Sequence, residues 1–290
     1  MKRIVFAATL LALAGCEQTK PPTPQGLKII AARTALGGVN TKLETKTQPS
    51  PPLAGQVSIW DFKVYEIKDK PDGTRTEWWF FNDLPQSSTE KTATGVLMNA
   101  WLISKDRSVF LPQKPAYKQY GSFITDWTIP KNGEYTLWVE YQPVLAKREL
   151  SLQDARQKAK VLDVEHTHWD LSVGGTATSP PVSPSEMGGN RRVYSLDAAN
   201  YAAGSGMSVT LNSSPAVVGQ KTTLSPTVNG ATGSIADESL VALSPDGNTL
   251  LHGVGANPRL TFSRKGKWRA WFSFSVDGKF YACPFDIDVS

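Results

Sequence analysis

A thirteen-residue unit occurs twice in this chain without a gap, and it restricts the fold more than any other feature. Residues 129–141 (IPKNGEYTLWVEY) align on residues 262–274 (FSRKGKWRAWFSF). Each copy has a glycine (Gly133, Gly266), an aromatic residue two positions later (Tyr135, Trp268), and then a run with a period of two. Successive side chains of a strand point to opposite faces. Tyr135, Leu137, Val139 and Tyr141 therefore form one apolar face, as do Trp268, Ala270, Phe272 and Phe274, and Trp138 and Trp271 fall on the opposite side. Upstream of each copy a strand-like run ends in Ser-x-Asp, at Ser104 and Asp106 and again at Ser244 and Asp246. A sequence that repeats a strand with its turn at this separation predicts two related sheet-built modules.

The rest of the chain agrees. Short alternating runs are separated by Asp72-Gly73, Asn132-Gly133, Asn229-Gly230, Asp246-Gly247 and Asp277-Gly278, pairs that supply the positive-φ positions of tight turns. Residues 151–160 are the exception. They lack Gly, Pro and β-branched residues, open with Ser151 three before Asp154, and place Leu152, Ala155 and Ala159 on one face, which predicts a short helix. The strand returning to the first repeat is then expected within Val161 to Val173. The glycine-aromatic strand followed by a hairpin across Asp277-Gly278 resembles the last two strands of immunoglobulin-like sandwiches. The resemblance implies an all-β protein of two tandem immunoglobulin-like β-sandwich domains, the first with a helical insertion.

The ends set the address. Lys2 and Arg3 precede an apolar run, Ile4 to Leu13, that is too short to span a bilayer, so residues 1–15 read as a signal peptide. The run closes in Leu13-Ala14-Gly15-Cys16, which resembles the lipobox of bacterial lipoproteins. That resemblance implies acylation of Cys16, and Glu17 after it implies transfer to the periplasmic face of the outer membrane in a Gram-negative host. Residues 16–55, with Pro21-Pro22-Thr23-Pro24 and Pro49-Ser50-Pro51-Pro52, have too little apolar surface to order themselves and are expected to form a disordered lipidated tether. The domains are then expected at 56–175 and 190–290, with a Gly/Pro/Ser/Thr linker at 176–189.

Signal removal takes away Lys2 and Arg3 and no acidic residue, lowering the formal charge from +5 to +3. No dense Lys/Arg run remains, which argues against a nucleic-acid partner. With Cys16 consumed by lipid, Cys283 has no partner for an internal disulfide; its parity with Phe285, Ile287 and Val289 predicts a packed thiol.

Two further resemblances concern function. Leu243-Ser-Pro-Asp246, Leu250-Leu251-His252, the Gly266 to Trp271 strand and Pro284-Phe285 resemble bacterial exported immunoglobulin-like domains, some associated with heavy-metal handling. Members often carry His-x-His-Pro after the apolar pair, of which this chain keeps His252 alone. Thr76-Glu77-Trp78-Trp79-Phe80-Phe81-Asn82 resembles the Glu-Trp-Trp-Tyr strand of lipocalin-like proteins related to carotenoid hydratases, and the same aromatics equally fit a packed strand.

Chemistry-bearing side chains are few. His166 and His168 alternate on one strand face and are spaced to share a Cu or Zn ion, or else form an exposed polar face. His252 is expected in a loop or at a sheet edge. Trp78, Trp79, Trp138 and Trp271 are candidates for a ligand or partner surface, while an outward Trp such as Trp138 or Trp271 more often covers an aliphatic stem or the neighbouring domain. There is no Gly-x-Ser-x-Gly elbow or Walker loop, and Gly253 to Asn257 lacks the third glycine of a dinucleotide fingerprint. No cofactor and no enzyme activity are expected. The leading expectation is a non-enzymatic envelope lipoprotein that binds a protein partner or joins an envelope complex. A periplasmic Cu/Zn protein using His166 and His168 is the alternative, and binding of a carbohydrate or small hydrophobic ligand stands behind both.

Overall fold

The computed structural model describes residues 29–35, 39–69, 75–79, 98–118, 122–141, 144–145, 160–161, 165–176, 183–187, 191–196 and 204–290. Among them all regular structure is strand. The N-terminal half contains β1 (Ile29–Ala35), β2 (Val39–Gln48), β3 (Val57–Asp69), β4 (Arg75–Trp79), β5 (Met98–Ser104) and β6 (Phe110–Gln113). It continues with β7 (Ala116–Tyr117), β8 (Ser122–Thr128), β9 (Gly133–Tyr141), β10 (Val144–Leu145), β11 (Lys160–Val161) and β12 (Glu165–Val173). One sheet has the order β1-β2-β3-β8-β7 with β4 joined to β3, a second has the order β12-β9-β5-β6, and β10 pairs with β11 separately.

The C-terminal half contains β13 (Ser185–Met187), β14 (Arg191–Ser195), β15 (Ser208–Ser213), β16 (Lys221–Asn229) and β17 (Ile235–Leu243). After these come β18 (Leu250–Val254), β19 (Arg259–Thr261), β20 (Gly266–Val276) and β21 (Lys279–Val289). Its sheets have the orders β13-β21-β20-β17-β18 and β14-β15-β16-β19. Every pairing is antiparallel except β13 with β21. The pairing scheme is itself duplicated: β1-β2-β3-β8 corresponds to β14-β15-β16-β19, and β12-β9-β5-β6 to β21-β20-β17-β18.

Each half closes its two sheets over one apolar core. Tyr135, Leu137, Val139 and Tyr141 face Leu43, Trp60, Phe62 and Trp127 in the first. Trp268, Ala270, Phe272 and Phe274 do the same with Leu211, Leu224 and Leu260 in the second. Cys283 is wholly buried in that second core, and burial pushes its thiol pKa upward. The strand opening each repeat begins at a φ that favours glycine, +126° at Gly133 and +118° at Gly266. The aromatic two residues on then ties the strand back to its approach loop. The Tyr135 hydroxyl donates to the Lys131 carbonyl at 2.8 Å, and the Trp268 indole donates to the Arg264 carbonyl at 3.0 Å.

The duplicated Ser-x-Asp has an equally local cause. Ser104 Oγ donates to Asp106 at 2.6 Å and accepts from the Val109 amide at 2.9 Å. Ser244 Oγ makes the same bonds to Asp246 and from the Thr249 amide, at 2.6 and 2.9 Å. The two carboxylates then pair with Lys131 and Arg264, which sit on the loops leading to β9 and β20. Serine and aspartate thus satisfy the backbone of the β5–β6 and β17–β18 turns, and the basic residue joins each turn to the neighbouring loop.

Four expectations change or fall outside the described residues. Residues 39–48 are not part of a disordered tether: they form β2, hydrogen-bonded between β1 and β3, with Leu43 fully buried. The strand is easy to overlook because its other inward positions, Thr45 and Thr47, are polar though β-branched. The expected linker at 176–189 contributes β13, which adds to the edge of the C-terminal sheet. The helix expected at 151–160 falls on residues 151–159, outside the described residues, with Lys160 in β11. Cys16 and residues 1–15 also lie outside them, whereas the strand returning to β9 is β12, paired from Glu165 to Val173.

Leu43→Ala should therefore destabilise the protein by about 2–5 kcal/mol, the usual cost of emptying a buried leucine site. Urea denaturation measures this, and a change within error of zero would restore the tether.

Candidate functional site

A strand has two faces, and in each half the one turned away from the core ends up against the other half. Trp101, Ile103, Phe110 and Trp138 from β5, β6 and β9 meet Val241, Leu243, Leu250, Trp271 and Ala282 from β17, β18, β20 and β21 in a third apolar cluster. The contributing positions are largely equivalent: Trp101 pairs with Trp138 across β5–β9 as Val241 pairs with Trp271 across β17–β20. Phe110 stacks on Trp271 with ring centroids 4.8 Å apart and planes 6° from parallel.

Trp138 and Trp271 do point away from their own cores, but they are only 5% and 3% exposed. The candidate ligand or partner surface is thereby corrected in favour of the other reading, cover by the neighbouring half, because two apolar sheet faces remove more surface from water by covering each other. Trp78 and Trp79 lie in β4, opposite Glu66 and Tyr65 of β3; their side chains lie outside the described residues.

Polar contacts surround the apolar centre. Arg107 occupies the left-handed region at φ 61° and donates to the Pro245 carbonyl of the other half's equivalent turn at 2.5 Å. Burial, and then the nearby Arg269, lower its pKa, while Asp286 and Asp246 act in the opposite direction. Arg269 pairs with Asp286 at 2.7 Å. Lys114 reaches Asp237 at 2.6 Å, but both side chains are more than half exposed, so this bridge adds little.

All three histidines lie on these facing sheets. His166 and His168 share the outward face of β12, opposite Glu140 and Trp138 of β9, and both are exposed. The His168 ring stacks on Trp138 at 4.2 Å, and His166 Nδ1 is 3.6 Å from Glu140 Oε2. Among the described residues no group of three or more His, Cys, Asp and Glu is arranged to hold a metal ion. The pair flanks Glu140 and the buried Trp138 on the outward face of the sheet.

His252 sits on β18, an edge strand, and its surroundings are the most organised polar site described. Its Nδ1 lies 3.0 Å from Glu140 Oε1 across the interface, and its Nε2 lies 3.0 Å from Ser239 Oγ on β17. Asn99 Nδ2 donates to the same Glu140 oxygen at 2.8 Å, and the Trp101 ring packs edge-on against the imidazole at 4.9 Å. Burial alone would raise the Glu140 pKa. The hydrogen bond and charge of His252, the Asn99 bond and the charge of His166 together outweigh it and hold the carboxyl below its ordinary value. The sequence left His252 in a loop or at a sheet edge and pointed to neither Ser239 nor Glu140. No protein-family model matches the chain, and a search of curated proteins returns no match.

Two expected outcomes follow from this geometry. Phe110→Ala and Trp271→Ala should each destabilise the protein, and the double variant should lose less than their sum by about 0.5–1.5 kcal/mol, the coupling of a stacked pair. A chemical-denaturation cycle reads that coupling, and strict additivity would show that the rings do not meet. Because the folded-state pKa of Glu140 is depressed, its contribution is present above the ordinary carboxylate value and is lost as pH falls through the lowered one. Wild type should accordingly exceed Glu140→Gln in stability at neutral pH, with the gap closing in acid; a gap independent of pH between 7 and 2 would contradict the assignment.

Proposed function

We propose that the protein is a cell-envelope lipoprotein in which two immunoglobulin-like sandwiches, docked face to face, form one body that engages a protein partner of the envelope. The anchor rests on the lipobox at Leu13 to Cys16, since several acyl chains hold a protein on a bilayer where one would be marginal. The immunoglobulin-like reading is supported by the duplicated order of pairing. In each half one sheet contains three consecutive strands and the strand before the repeat unit (β1-β2-β3-β8 and β14-β15-β16-β19), and the other contains the repeat unit and its returning partner. A hydrogen bond from an aromatic side chain at the start of the repeat strand to the backbone four residues upstream is a further mark of such sandwiches.

The observation that carries the single-body reading is the apolar seam between the halves. Interfaces with a buried aromatic centre hold domains in one orientation, whereas polar contacts leave them free to move. With Trp138 and Trp271 covered, a partner surface falls to the remaining outward face of the C-terminal sheet, where Val254 and Phe280 are 70% and 48% exposed.

Metabolic labelling with a clickable fatty acid tests the anchor: the wild-type chain should carry label and Cys16→Ser should not. An unlabelled wild-type chain in a host with lipoprotein-processing enzymes would remove the proposal's membrane half. For the partner, the chain extracted in mild detergent should sediment as a complex, and Phe280→Glu should shift it to the size of the free chain; sedimentation of the wild type as a free chain would remove the other half.

A further inference from the structure

Ser239, His252 and Glu140 form a line of hydrogen bonds whose order is that of a serine nucleophile, its base and the group that orients the base. We propose that Ser239 is a nucleophile that takes acyl groups from small carboxylic esters, with His252 as general base and Glu140 as the residue positioning it. The inference does not depend on the lipid anchor or on the partner.

The direction follows from what each atom can do. An ionised carboxylate only accepts, so the tautomer matched to Glu140 Oε1, 3.0 Å away, is the one with its hydrogen on Nδ1. Nε2 then holds the lone pair, and Ser239 Oγ, 3.0 Å away, donates to it. This is the tautomer a base must have to remove a proton from serine. Asn99 fixes the carboxylate, and Trp101 packed against the ring limits its rotation.

The His252 and Glu140 side chains are 9% and 15% exposed and Ser239 is half-buried, so the line is shielded without being sealed from solvent. Ser239 ends a register shift that begins at Ala236, and Asp237 within it has φ 56°. Bulges of this kind re-aim side chains and recur beside active sites. Val254, paired with Ser239 across β17–β18 and on the same face, is open to solvent and gives a short acyl chain an apolar surface.

In the reaction, Ser239 Oγ bonds to the ester carbonyl carbon as its proton passes to His252 Nε2. The tetrahedral adduct collapses, the bond to the leaving alcohol breaks, and the imidazolium returns the proton to that oxygen. Water then attacks the acyl-serine, giving a proton to His252, which passes to Ser239 as the carboxylic acid departs.

The same residues also fasten the two halves, and one substitution separates these roles. Ser239→Ala leaves the bond between His252 and Glu140 intact, so a fastening role predicts an unchanged protein. The test uses the detergent-solubilised full chain with p-nitrophenyl acetate, whose good leaving group demands least of the rest of the site, and with a fluorophosphonate probe followed by peptide mapping. The probe should attach to Ser239, and Ser239→Ala and His252→Ala should each lower hydrolysis on the order of a hundredfold, the usual contribution of a nucleophile–base pair. Ser239→Ala should keep its melting temperature. Glu140→Gln should lower kcat with KM unchanged, and Glu140→Asp should recover part of the loss. A fluorophosphonate adduct absent from Ser239, or hydrolysis by Ser239→Ala at the wild-type rate, overturns the proposal.

Discussion

The apolar seam between the two halves organises the rest of the molecule. A sandwich buries one face of each sheet and leaves the other to water, yet here the outer faces of β12-β9-β5-β6 and β13-β21-β20-β17-β18 carry Trp101, Phe110, Trp138, Leu243, Leu250 and Trp271. Apolar area on this scale is unfavourable in water and is removed when the sheets cover one another. The seam also brings Glu140 within reach of His252, and Arg107 within reach of Pro245.

Duplication explains how such a seam arises from local parts. Each half brings the same strands, the same Ser-x-Asp turn and the same outward tryptophan, so facing surfaces offer matching positions much as two copies do in a symmetric dimer. Departures from the repeat lie where polar chemistry appears. Gly247 takes a positive φ at little cost, and its counterpart Arg107 takes one at a cost of about 1 kcal/mol or more, and spans to the opposite turn. Glu140 has Ser273 as its counterpart in the second repeat, so at this position the carboxylate is unmatched and meets the imidazole of the other half.

Much of the local structure was legible in the residues. Glycine, aromatic and alternation predicted β9 and β20 with the correct inward faces, Asp277-Gly278 predicted the hairpin between β20 and β21, and the parity of Cys283 predicted a packed thiol. The reading failed at β2, where inward threonines disguise a buried strand among proline-rich neighbours, and at β13, a three-residue edge strand held by the pairing of its backbone with β21. Trp138 and Trp271 were given the right direction, but whether a ligand or the neighbouring half covers them was left open by the sequence.

That last contrast separates what each level of description decides. A period of two determines which side of a strand a residue occupies, because the pleat is a property of the backbone alone. It carries no information on what lies opposite that side. Glu140 and His252 are 112 residues apart and become neighbours only because two sheet faces pack in one orientation. The sequence by itself determined the repeat strands, their faces and the twofold repetition; the docking of those faces decided that the tryptophans are buried and that serine, histidine and glutamate stand in line.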